Sequence, residues 1–248
     1  MKISVYSWLQ RCLILCLVTL GAACQPSSIS TKKVMKISGG TNTTDKRAVS
    51  NFMAIDVSRA IQVRITKGTM PSLTLETGVN FLPYIITEVR QGVLVLTIKD
   101  DVQLLDGSII ANVVMPSLVS VRASGASVIS SSDTFGATDF ATTLTGASQL
   151  SMPLTMQSIT ATIEGASTVR LTGQAQTLTV AGLSGASQLL SGELLTNVCS
   201  LNVSGASRAE VNVKKTLSGT VSGASQVQYW GGIVASLHVD ASSTVSRL

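Results

Sequence analysis

The sequence predicts an all-β protein wound as a β-solenoid of about 20 residues per coil, and three observations lead there. The first is a repeat. The tripeptide Gly-Ala-Ser begins at Gly125, Gly146, Gly165, Gly185, Gly205 and Gly223, with spacings of 21, 19, 20, 20 and 18 residues. A degenerate copy, Ala241-Ser242-Ser243, follows after 18 more. The second is alternation around that tripeptide. Two residues before each glycine stand Ala123, Leu144, Ile163, Leu183, Val203 and Val221; two residues after each serine stand Ile129, Leu150, Val169, Leu189, Ala209 and Val227. Apolar side chains at every second position mark strands with one buried face. The third is composition. Of 248 residues, 34 are Ser and 27 Thr; 45% are hydrophobic, 12% charged and 4% aromatic. Disorder needs more charge and fewer aliphatics, and a coiled coil needs dense Glu, Lys, Arg and Leu.

Residues 1–23 read as a lipoprotein signal peptide. Lys2 and Arg11 flank a short basic region, and Cys12 to Ala23 is apolar or small throughout. That length suits a signal core and is short for a bilayer span. Cys24 follows Ala22 and Ala23. The stretch resembles a bacterial lipoprotein signal, in which cleavage precedes a cysteine whose thiol takes a diacylglycerol. The pattern departs at Gly21, where leucine is usual; Leu20 stands one place further out. Secretion without lipid, or retention as an anchor, are the alternatives. Residues 24–35 then read as a polar lipidated tether.

Residues 36–248 read as a single β-helix domain, with 36–115 as irregular capping coils. A separate N-terminal β-domain is the alternative. Val93 to Ile98 and Ile109 to Met115 are short strands; Gly68, Asn80, Pro83, Gly92 and Gly107 mark turns.

Residues 116–248 carry the regular repeat. A 20-residue period holds short strands and tight bends but no useful helix, and the leucine-rich pattern LxxLxLxxN is missing. One coil cannot bury its own apolar residues; stacked coils share a narrow core. Glycine permits a tight bend or close backbone approach. Alanine is expected where a narrow coil leaves no space. Spacing leaves open whether Ser127, Ser148, Ser167, Ser187, Ser207 and Ser225 point inward, as a structural ladder, or outward, as hydroxyls for a repetitive ligand such as a glycan.

The chain resembles the autotransporter-adhesin head domain of bacterial lipoproteins, the GIN or DUF2807 family. The residues that carry the resemblance are Phe52-x-x-Ile55-x-Val57, Ile61 to Gly68, Leu73 to Ile98, Ile109 to Ser127 and the later Gly-Ala-Ser copies. It implies a right-handed β-helix at the cell envelope. It transfers no catalytic motif.

The functional reading is a non-enzymatic envelope lipoprotein, adhesin-like or glycan-binding, held at the outer membrane by a lipid on Cys24. A structural envelope protein with a protein partner is the alternative, and a polysaccharide-processing enzyme a lesser one. Such an enzyme needs acids converging on one face. Asp133, Asp139, Glu164, Glu193, Glu210 and Asp240 occupy different phases of the repeat. Glu164 and Asp240 share a phase, but at about 4.8 Å per coil they stand nearly 20 Å apart. Asp133 and Asp139 could meet in one loop region, where a solvated turn is the simpler account. A single histidine, His238, argues against triad or multi-histidine metal chemistry. Asp100, Asp101 and Asp106 cluster at a turn without a recognised calcium spacing. No cofactor and no metal is expected. Losing Lys2 and Arg11 with the signal takes the formal charge from +5 to +3. With no basic cluster, nucleic acid is not an expected partner. Cys199 alternates with Leu201 and Val203, as a buried small hydrophobe would. Tyr229 and Trp230, the one aromatic pair in the repeat half, either stack on a sugar or cover the open end of the core.

Overall fold

The computed structural model describes residues 34–248, which form one compact unit. The expected signal peptide, Cys24 and the expected tether as far as Lys33 lie outside the described residues.

The regular part begins at β10 (Ser120–Ala123) and β11 (Val128–Ser131). It continues through β12 (Phe135–Leu144), β13 (Gln149–Ile163), β14 (Thr168–Leu183), β15 (Gln188–Val203), β16 (Arg208–Val221), β17 (Gln226–Val239) and β18 (Thr244–Arg247). Each strand pairs in parallel with its counterpart one coil away, so the stack is a β-solenoid of about 7 turns. Register follows the sequence repeat: Leu150 faces Val169, Val169 faces Leu189, Leu189 faces Ala209 and Ala209 faces Val227. Those residues and the column Ala123, Leu144, Ile163, Leu183, Val203 and Val221 are 3% exposed or less. A fully buried Val, Leu or Ile contributes about 1.5–3 kcal/mol. Register is thus fixed strongly, because a one-residue slip would turn every one of them outward.

The N-terminal part is built from β1 (Met35–Ile37), β2 (Asn42–Arg47), β3 (Ala54–Val57), β4 (Gln62–Lys67), β5 (Ser72–Gly78), β6 (Ile85–Arg90), β7 (Val93–Ile98), β8 (Val102–Leu104) and β9 (Ile110–Met115). It does not wind in chain order. β3 and β4 lie between β7 and β9 on one side and β10 and β11 on the other. Going inward, the coils are therefore 93–115, then 54–67, then 120–131. The chain reaches β10 after Pro116, crossing back with Leu118 buried. Beyond this crossover, β2, β5 and β9 form an antiparallel flap, β6 folds back on β7, and a 3-10 helix at Val79–Tyr84 seats Phe81 in the core at 0% exposure.

The coil of β3 and β4 carries a corner without the Gly-Ala-Ser signature. Ser58-Arg59-Ala60-Ile61 occupies the place of Ser-Gly-Ala-Ser: Val57 faces Ala123, Val63 faces Ile129, and the amide of Ala60 donates to the Gly125 carbonyl at 2.9 Å. Arg59 and Ala60 take φ of 64° and 60°, the left-handed geometry that glycine adopts in later coils.

The C-terminal end is covered in part. β18 pairs only with Gln226–Tyr229, so among the described residues the rest of β17 has no following coil. No helix among the described residues is long and apolar enough to cross a membrane.

Candidate functional site

The Gly-Ala-Ser corners form a continuous backbone ladder. The amides of Ala166, Ala186 and Ala206 donate to the carbonyls of Gly146, Gly165 and Gly185, each at 2.7 Å. Glycine is required by proximity: a Cβ on Gly165 would lie 2.5 Å from the Gly146 carbonyl oxygen. The alanines sit on the outer corner in solvent. This corrects the expectation that alanine fills the narrow interior; the confined positions are the glycine and the serine. All six serines point inward at 2% exposure or less. Ser127, Ser148 and Ser225 donate to carbonyls in their own corners, those of Ser124, Thr145 and Ser222, at 2.8, 2.9 and 2.7 Å. The Ser148 amide donates to the Ser167 hydroxyl at 3.3 Å, linking two coils. A ligand outside the solenoid cannot reach this ladder.

A different set of hydroxyls does reach solvent. On the strand before each corner, Ala141, Thr160, Thr179, Ser200, Ser218 and Ser236 stand in register from coil to coil. Ser158, Thr177, Val198 and Thr216 form a parallel column two positions earlier, and Thr143 and Thr162 begin a third. In that third column the Thr220 hydroxyl bonds the Asn202 side chain at 3.1 Å. Neighbouring rungs are about 4.8 Å apart. The sequence signal was present five residues before most corner glycines, but a one-residue bulge near Ala181 moves Thr179 to six.

Tyr229 and Trp230 part company. Tyr229 stands in register with buried Val211, packs on the core, and is followed by Arg247 of β18. Trp230 stands on Asn212 and turns outward. Its ring lies over Gly192, where a Cβ would come within 2.7 Å of Cζ3 and 3.1 Å of Cη2. The Asn212 side-chain amide donates to the Gly192 carbonyl at 3.1 Å and fixes this segment. The ring walls a cleft of about 220 Å³ shared with Arg170, Thr172, Leu190, Gly192, Glu193 and Glu210. Glu193 and Glu210, which the sequence reading assigned to different phases, thus border one hollow. Glu210 pairs with Arg208 at 2.8 Å, and Arg208 also reaches Gln228 at 2.7 Å.

The other acids do not converge on one site. Asp100 pairs with Arg59 at 2.5 Å, and Asp106 accepts the Gly39 amide at 2.7 Å. Asp133, in the bend between β11 and β12, accepts the Lys67 amide at 2.7 Å, while Asp139 lies exposed on β12. Among the described residues, no three His, Cys, Asp or Glu side chains gather in a way that could hold a metal ion. Asp240 closes the corner ladder. It accepts the Gly223 amide at 2.8 Å, while the hydroxyls of Ser242 and Ser243 accept those of Ala224 and Ser225 at 3.1 and 3.2 Å. The Ser243 hydroxyl, then the Gly223 amide, hold the Asp240 carboxyl at about 2, below the usual carboxylate range. Cys199 is fully buried between Leu178 and Leu217, and burial pushes its thiol up to about 12. It is the small hydrophobe its alternation predicts.

The family model described as "Putative auto-transporter adhesin, head GIN domain" matches residues 51–232. No curated protein matches the sequence. A putative adhesin from Bacteroides fragilis has a similar crystal structure, with TM-score 0.80 and 18% identity, covering 86% of this chain and 100% of its own. A putative lipid binding protein from Parabacteroides distasonis gives TM-score 0.70 at 14% identity, covering 86% and 100%. A putative adhesin from the same organism gives 0.69 at 18%, again covering 86% and 100%. At these identities the likeness is one of fold.

Proposed function

The chain belongs to the auto-transporter adhesin head GIN domain family, DUF2807, and from that premise we propose that it is a non-enzymatic, lipid-anchored protein of the cell envelope that binds surface glycan. The observation that supports this reading is the outward face of hydroxyls. Thr160, Thr179, Ser200, Ser218 and Ser236 repeat once per coil. Each hydroxyl both donates and accepts, and the face carries little charge. A polysaccharide, itself a repeating array of hydroxyls, matches that chemistry along its length. Many weak contacts in register add up, as in any multivalent association. A binding role without catalysis agrees with the occupation of Glu210 by Arg208 and of Asp100, Asp106 and Asp133 by their own partners.

The test is a glycan array probed with the full chain, beside variants in which Thr160, Thr179 and Ser200 become alanine together. Binding to a polysaccharide that the triple variant loses supports the reading; a blank array overturns it. Anchoring is tested separately, by fatty-acid labelling of Cys24→Ser against the native chain. Protease added to intact cells, with a periplasmic protein as leakage control, then decides the face: release from intact cells places the protein outside, and release only after lysis places it on an inner leaflet.

The unpaired stretch of β17 favours a second reading, an envelope protein that docks a protein partner. Ile233 is 74% exposed, Val234 40% and Val239 36%, along an edge whose backbone groups can accept another strand. Stable co-purification of one envelope protein, abolished by Ile233→Lys, supports that reading over glycan capture.

A further inference from the structure

We propose that the cleft beside Trp230 is a discrete site for one uncharged pyranose ring, the specificity element of the glycan reading on which it rests. The cleft is separate from the hydroxyl face in the fold. It opens on the first strand segments after the corners, where Arg170 and Leu190 stand in register and Leu190 with Glu210.

Four features converge. The first is the aromatic wall. Trp230 is outward-facing and, unlike Tyr229, does not pack on the core, so covering the end of the solenoid does not account for it. A half-buried indole in a polar hollow presents an apolar face to a partner with an apolar side, as the C–H face of a sugar ring is. The second is Gly192. Only a residue without Cβ lets the ring lie down at this place, which fixes the wall in position before a ligand arrives. The third is the polar lining. Arg170 donates, the carboxylates of Glu193 and Glu210 accept, and the Thr172 hydroxyl does both. Planar carboxylate and guanidinium groups bond pairs of neighbouring hydroxyls on a ring. The fourth is charge. Arg170 and Arg208 cancel Glu193 and Glu210, so the hollow favours neither sulfated or uronic sugars nor free amino sugars. Its volume of about 220 Å³ is below the ~300–1,000 Å³ of drug-sized sites, which suits one ring rather than a chain segment.

The test reads affinity by isothermal titration calorimetry of the full chain and each variant, and reads the site by tryptophan emission; the sequence contains Trp8 and Trp230, so subtracting the Trp230→Ala signal isolates Trp230. The probes are glucose, galactose, mannose and N-acetylglucosamine as short oligosaccharides, with glucuronate and glucosamine oligomers as charged controls. We expect a saturable shift with at least one neutral sugar, at least tenfold weaker binding in Trp230→Ala and in Gly192→Ala, and at least tenfold weaker binding of the charged controls. Gly192→Ala has no positive φ to strain and displaces only the end of the indole, so it keeps the fold and serves as a second, independent variant. Silence of Trp230 toward every neutral sugar, undiminished binding in both variants, or equal binding of the charged oligomers overturns the site. If polysaccharide binding on the array survives in Trp230→Ala while the native chain's Trp230 emission never responds, the glycan reading stands and this site falls.

Discussion

Gly205 stands directly on Gly185: a Cβ placed on Gly205 would lie 2.6 Å from the Gly185 carbonyl oxygen. Gly205 has φ +77°, and Gly92, in the hairpin turn between β6 and β7, has φ +76° with open space around its would-be Cβ. The two glycines share a conformation and differ in what surrounds them. Gly92→Ala should cost about 1–2 kcal/mol, the left-handed penalty alone. Gly205→Ala should cost at least about 2 kcal/mol more, because backbone of the neighbouring coil must also move. Urea unfolding of both variants measures the difference; equal costs would mean that the corners are not in close contact.

The serine ladder is uneven. Ser148 donates to the Thr145 carbonyl at 2.9 Å, whereas the hydroxyls of Ser187 and Ser207 are buried without a partner. Removing a satisfied hydrogen bond costs about 1 kcal/mol, and removing an unsatisfied buried hydroxyl costs little or is favourable. Ser148→Ala is therefore expected to lower stability by about 1 kcal/mol, and Ser187→Ala to leave it unchanged or raise it. Thermal unfolding ranks the two; a destabilised Ser187→Ala would show that its hydroxyl is in use.

How much of this was legible follows from what repeats. The coil period, the inward columns through Leu150 and Leu183, and the burial of Cys199 all come from identity or parity, and the sequence displays both. The corner at Arg59 was hidden because its role is conformational. In the later corners glycine opens the turn with left-handed geometry, but here an arginine takes that place. The crossover of β3 and β4 was hidden for a different reason: neither hydrophobic parity nor turn residues say which coil a strand lies against. Trp230 was singled out by composition, yet its partners Arg170, Gly192 and Glu210 come from three coils and share no motif. The alanines were misplaced because small size suits both a cramped interior and an exposed tight corner, and only burial separates the two.

Cys199 should be inert in the folded chain. Its thiol titrates near 12 because burial disfavours the thiolate, and the thiolate is the reactive species. At about pH 8, an alkylating reagent should leave the Cys199 peptide unmodified until denaturant is added. Peptide mass spectrometry with and without denaturant reads this. Rapid labelling of the native chain would mean that the coil around β15 opens locally.

Asp240 gives the C-terminal coil a dependence on acid. Its carboxyl is held at about 2 against an ordinary 3.8, so the folded form favours the ionised state. The sign follows from linkage: the stabilisation is complete above the ordinary value and is lost as pH falls from 3.8 toward about 2. The loss should be local, since Asp240 acts on the Gly223 amide and, through Ser242 and Ser243, its copy of the repeat closes over Ala224 and Ser225. Amide exchange at those three residues, corrected for intrinsic pH effects, should accelerate over that range, while exchange in the inner corners at Ala166 and Ala186 should not. In Asp240→Asn, which keeps an acceptor but cannot titrate, the acid dependence should vanish. If both proteins responded to acid alike, another carboxylate would control the end of the solenoid.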